Sequence, residues 1–231
     1  MFPSDAIKRA RSNVSAESEH RRGSRAQIVT TVLVLIIFQL PLAGWVMPGE
    51  CFAAQVGRES VFWALTLILV AYILLVERRR LSSIGLKRPT WKAVAFGLGG
   101  ASVMIAGFVF IYLVIFPALG FPMNEAQMSA LKLTPLWFRV LLVVRAAVFE
   151  EIYYRGFAIE RLTELTSFRW LASLISAAAF TFAHLTYWGW AHLIVAGFGG
   201  AVLTGLYLLR RDLSANMIAH LVTDGAGFLL G

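Results

Sequence analysis

The chain is patterned as long apolar runs divided by short polar segments. Seven runs stand out, at 28–47, 61–76, 94–120, 136–158, 170–187, 191–209 and 213–230. A helix needs about 20 mostly apolar residues to cross a bilayer, and most of these runs approach or exceed that length. Bare backbone cannot be solvated in hydrocarbon, so spanning segments are helices or closed barrels. The strands of a barrel alternate apolar and polar residues with period two, and these runs do not. The pattern predicts an all-α, polytopic transmembrane bundle of about seven helices. Pro41 and Pro117 fall inside the first and third runs and predict kinks there. Gly97, Gly99 and Gly100 in the third run, and Gly197, Ala201 and Gly205 in the sixth, are expected to let helices pack closely.

Composition agrees with this reading. Of 231 residues, 58% are hydrophobic and 15% charged, against about 25% charged in an average soluble domain. The mean hydropathy is +0.72. The placement of the net charge of +8 is more informative than its size. Basic residues collect in the first 27 residues, in 78–92, at Arg155, Arg161 and Arg169, and at Arg210 and Arg211. Every second loop is therefore basic, which places the N-terminus in the cytoplasm. Residues 1–27 are expected to form a polar, basic, disordered cytoplasmic tail, followed by a membrane-embedded domain over 28–231. No aromatic residues interleave with the basic tail, so nucleic acid is not an expected partner. The first run reads as an uncleaved helix, because no small-x-small cleavage site follows it. Cys51 is the only cysteine, so there is no internal disulfide.

Three groups of polar residues interrupt the apolar runs. The first is Glu150 and Glu151, with Arg155. A charge at bilayer depth costs about 2.5–3.5 kcal/mol on insertion scales. Glu151 and Arg155 are four apart and can pair on one helix face. Glu150 points about 100° away from Glu151 on an α-helix and is expected to have no partner on its own helix. The alternative is that the helix ends near Glu150 and both acids are wet. The second group is Phe180 and His184, four apart near the end of a run, where a lone histidine is more often a packing residue. The third is His220 and Asp224, also four apart, where a carboxylate can fix the imidazole tautomer or simply join two helices. His20 is expected to be solvated and His192 interfacial. Arg139 and Arg145 cannot be assigned from the sequence.

Depth brings the three groups together. Glu150 lies roughly 16 Å above Arg161, His184 roughly 22 Å above Arg169, and His220 roughly 14 Å above Arg211, all counted at 1.5 Å per residue. All three are measured from the same basic side, and helix tilt absorbs the spread.

In order and spacing, Glu150-Glu151-x-x-x-Arg155, Phe180-x-x-x-His184 and His220-x-x-x-Asp224 resemble the three motifs of the type II CAAX prenyl protease family. That family also includes the bacteriocin-processing (Abi/CPBP) membrane proteins. The resemblance covers about 91–231 and the preceding Gly85-Leu-Lys-Arg-Pro segment. It departs at Asp224, where the family often has Asn. It implies an intramembrane endopeptidase acting on a peptide or protein substrate; the depth of the motifs puts the cut near the cytoplasmic side, and the compactness of the chain suggests a bacterial plasma membrane. The resemblance further implies that Glu150 activates water, that His184 and His220 assist, and that Asp224 takes the orienting place. Glu151, Arg155 and Phe180 would support the site.

A carboxylate in apolar surroundings suits a general base near neutral pH. The same residues could instead bind zinc through Glu150, His184 and His220; the metal-independent mechanism is preferred. Two other classes compete. One is a non-catalytic immunity or regulatory protein of the same family. The other is a proton-coupled transporter, which the absence of an internal repeat disfavours.

Overall fold

The computed structural model describes residues 28–123 and 125–230; the expected basic tail, with His20, lies outside them. The described residues carry no strands. The chain divides between Leu40 and Pro41. In the first unit, α1 (Ile28–Ile37) is a short apolar helix. The second unit begins at Pro41, where α2 (Leu42–Val46) starts. The first run is therefore two short helices, divided where Pro41 cannot donate a helical bond.

Four described helices are long and apolar enough to cross a membrane: α3 (Phe52–Val76), α4 (Trp91–Leu119), α7 (Arg169–Trp188) and α8 (Leu193–Arg210). The other elements are α5 (Glu125–Lys132), α6 (136–166) and α9 (213–230). The seven expected crossings thus meet the length and composition requirement at four positions. The fourth run fails it because Arg139, Arg145, Glu150, Glu151 and Arg155 interrupt it too closely for any 18-residue stretch to stay apolar. The last run is interrupted by Asn216, His220 and Asp224.

Helix ends follow local chemistry. Thr90, just after Pro89, caps α4 by accepting from the Ala93 amide at 3.2 Å. Asp212 caps α9 through the Ser214 amide at 3.1 Å. Each satisfies one of the amides a helix start leaves free. Gly85 turns the chain before α4 at φ +78°, and a Cβ there would meet the Tyr207 ring at 2.9 Å.

The core lies between α4, α8 and α9. Ala93, Met104, Leu203, Leu206, Ala215 and Ala219 form one buried cluster. Small residues make this close packing workable. A Cβ on Gly97 would meet the Ala215 carbonyl oxygen at 2.8 Å, and one on Gly100 would meet Leu206 at 3.1 Å. On α8 the contact glycines are Gly199 and Gly200, which face Phe108 and Phe180. The expected 197/201/205 stripe is therefore corrected. Gly205 has nothing within 4 Å, and Gly197 meets Thr181 only at ordinary distance. Gly97→Ala is expected to destabilise the protein by about 1–3 kcal/mol, whereas Gly205→Ala should leave thermal melting in micelles unchanged.

Leu67, Leu75, Leu113, Leu174 and Leu209 all point outward and are exposed. Such extended apolar surface is an aggregation hazard in water and the normal exterior of a helix in lipid. The protein is an integral membrane protein.

One end of the bundle is tied by ion pairs. Arg161 binds Glu77 through two nitrogens, and Arg79 reaches Glu164. Glu160 is buried and receives Arg169, Arg211 and Tyr207. These contacts gather the basic residues around 79, 161, 169 and 211 at one face, as expected for loops on the same side of the membrane.

Candidate active site

The first motif sits on an unusual stretch of helix. Residues Leu136–Arg145 of α6 are α-helical, Ala146–Ala158 are wound as a π-helix, and Ile159–Thr166 return to α. A π-helix closes i→i+5 bonds, and such turns are frequent at functional sites. The winding changes which side chains are neighbours. Residues five apart on an α-helix point about 140° away from each other. Here Arg145 and Glu150, five apart across the π turn, meet at 3.1 Å. The expectation that Glu150 has no partner on its own helix is therefore corrected: α-helical spacing does not apply here.

Glu151 is completely buried and holds more than its expected partner. Arg155 donates to its Oε1 at 3.0 Å, Asn216 donates to its Oε2 at 3.2 Å, and His220 Nδ1 meets its Oε1 at 2.8 Å. Arg155 also donates to the Gly200 carbonyl at 3.3 Å, and its guanidinium lies over the Phe180 ring at 4.1 Å. Glu151 thus joins α6 to α9, while Arg155 joins α6 to α7 and α8.

His220 stands between two carboxylates. Its Nδ1 is on Glu151, and its Nε2 lies 3.4 Å from Asp224 Oδ2. A neutral imidazole has one N–H, so contact with carboxylates at both nitrogens calls for a second proton, on the ring or on Asp224. The Glu151 contact has full hydrogen-bond length. The Asp224 contact is long, so Nε2 is the side that can turn to another acceptor.

His184 closes α7. Its Nδ1 lies 2.8 Å from the Phe180 carbonyl. A carbonyl only accepts, so Nδ1 carries the proton, and Nε2 of the neutral ring presents a lone pair. Phe180 lies between the two motif histidines, with ring centroids 4.7 Å from His184 and 6.3 Å from His220.

Direct contacts link Glu151, Arg155, Phe180, His184, His220 and Asp224, while Glu150 is held by Arg145. Asp224 contacts His220 and acts electrostatically on Arg145, which holds Glu150, and on His192, which stacks near His184. No described hydrogen bond joins Glu150 or His184 directly to His220. For zinc, the proposed ligands Glu150, His184 and His220 do not fit. Glu150 is paired with Arg145, His220 faces a carboxylate at each nitrogen, and no three His, Cys, Asp or Glu among the described residues come together as a metal site.

Five residues escaped the sequence reading. Glu59, on α3, is buried and binds Arg145 with both oxygens, at 2.9 and 3.2 Å. It lies between Arg58 and Ser60, just before the 61–76 run, so its position in the sequence did not mark it. Arg145 is thereby assigned. Arg139 is assigned too, donating to the Phe228 carbonyl at 3.0 Å. Asn216, four residues before His220, was legible only as a member of the same helix face. His192 was read as interfacial, but it stacks on His184 at 6.2 Å and Trp188 at 5.0 Å, with Tyr112 Oη at 3.4 Å.

His192 lies in the loop between α7 and α8, where burial and then the neighbouring His184 push its pKa down from 6.5 to about 4. Its folded pKa is below its unfolded one, so its neutral form favours the fold. Stability tied to His192 is full above pH 6.5 and declines as pH falls from 6.5 towards about 4. Melting curves of His192→Asn should lose that part of the acid sensitivity.

No curated protein and no solved structure matches this chain. Residues 132–226 match the family described as type II CAAX prenyl endopeptidase, Rce1-like. The match is narrower than the expected 91–231, and it contains all three motifs. Over residues 132–226, the chain is similar to the Rce1-like type II CAAX prenyl endopeptidase family.

Proposed function

We propose that the protein is a glutamate-dependent intramembrane endopeptidase that cuts a peptide bond near the cytoplasmic side of the membrane. One observation carries this reading. Arg145 fixes Oε1 of Glu150, while Oε2 of the same carboxylate is buried with no partner among the described residues. An oriented carboxylate with one free oxygen in an apolar site is what a general base for water needs.

In this mechanism a water lies between Glu150 Oε2 and the Nε2 lone pair of His184. Glu150 takes a proton as the water oxygen bonds to the scissile carbonyl carbon. His220 turns Nε2 from the long Asp224 contact to donate to the oxyanion, which is the form of stabilisation acyl transfer demands. The C–N bond then breaks, and the proton on Glu150 passes to the leaving amine. Glu151, with Arg155 and Asn216, keeps the His220 ring in place.

The test is a peptide library incubated with the purified full chain in micelles. The parent should cut at defined bonds, and Glu150→Gln and His220→Ala should not. Equal cutting by parent and variants overturns the assignment and favours the non-catalytic reading.

A further inference from the structure

The Arg145 guanidinium is divided between two helices. Nε and Nη2 engage both oxygens of Glu59 on α3, and only Nη1 is left for Glu150. A guanidinium prefers to grip one carboxylate with two parallel bonds, and here that grip goes to Glu59. The groups acting on Arg145 are Glu59 from α3, Glu150 from its own helix and Asp224 from α9. Phe62 packs against the guanidinium, with its ring centroid 4.6 Å away. Glu59 is 5% exposed, so water offers Arg145 little alternative.

Without the Glu59 carboxylate, Nε and Nη2 would lose their acceptor in a dry site. Turning onto both oxygens of Glu150 would restore it and cover Oε2. We infer that Glu59 is a positioning residue: it holds the Arg145 fork on α3, so that Glu150 keeps one oxygen open. Glu59 lies outside the 132–226 family segment, so this tuning comes from the part of the bundle that the family match leaves out. The inference rests on Glu150 being the base, as proposed above.

The experiment reads Glu150 directly, without substrate. Purified full chain is treated with dicyclohexylcarbodiimide, which modifies protonated carboxyls in apolar surroundings, over a pH series. The Glu150 adduct is measured by peptide mass spectrometry. In Glu59→Gln the pH at which half the labelling is lost should fall by about one unit, because Arg145 then serves Glu150 alone. Glu59→Asp, which keeps the charge, should stay close to the parent. In an Arg145→Gln background, with no guanidinium to redirect, adding Glu59→Gln should change nothing. A Glu59→Gln curve that overlays the parent, including no labelling in either, overturns the inference; so does a further shift in the Arg145→Gln background. In the peptide assay, kcat of Glu59→Gln should fall about tenfold with KM nearly constant, as when an interaction made only in the transition state is lost. If Glu150→Gln cuts like the parent, the proposed function fails, while the labelling still decides the role of Glu59.

Discussion

Glu150→Gln is expected to lower peptide cleavage by about 10²–10⁴-fold, the usual contribution of a positioned general base. The amide oxygen can still accept from Arg145, now at 3.1 Å from Glu150 Oε1, so the side chain should keep its place. What it loses is the ability to take a proton. The effect should appear in kcat, with thermal melting in micelles close to that of the parent. Glu150→Asp is a useful companion. It keeps the charge but draws the carboxylate back by one methylene, and a misplacement of about 1 Å can cost about 10²-fold. Rates for both variants equal to the parent would remove Glu150 from the mechanism.

The second large effect concerns stability. Glu151→Ala should destabilise the protein by about 3–5 kcal/mol, because it leaves a buried guanidinium without its counter-charge. The Arg155 side chain is only 1% exposed, and its remaining contacts, the Gly200 carbonyl and the Phe180 face, carry no formal charge. His220 and Asn216 lose an acceptor at the same time. Against a typical total of about 5–15 kcal/mol, such a loss should be visible as reduced yield of folded protein. Glu151→Gln keeps the shape and one acceptor oxygen, so it should cost less. Denaturation in micelles measures both, and a Glu151→Ala variant as stable as the parent would show that Arg155 finds another anion or water.

Glu151 and Glu150 thus differ in kind. Glu151 is saturated by three donors, which suits a structural centre. Among the described residues Glu150 has one donor and one oxygen without a partner, which suits a reacting group. Their adjacency in sequence hides this, because neighbouring residues on a helix face different surroundings.

The sequence alone determined the class of molecule and most of the candidate site. Apolar runs without period-two alternation leave only helices, and ionisable groups inside such runs are costly enough to mark a site. The i, i+4 spacings of Glu151 with Arg155 and of His220 with Asp224 were readable because short-range helix geometry is nearly fixed. The tertiary structure decided what depends on winding and on distant segments. It replaced α with π geometry at 146–158, which gave Glu150 its partner. It brought Glu59 to Arg145 across 86 residues of sequence. It also moved the contact glycines of α8 from 197 and 205 to 199 and 200, because a helix's packed face is set by its neighbours and small residues occur on more than one face.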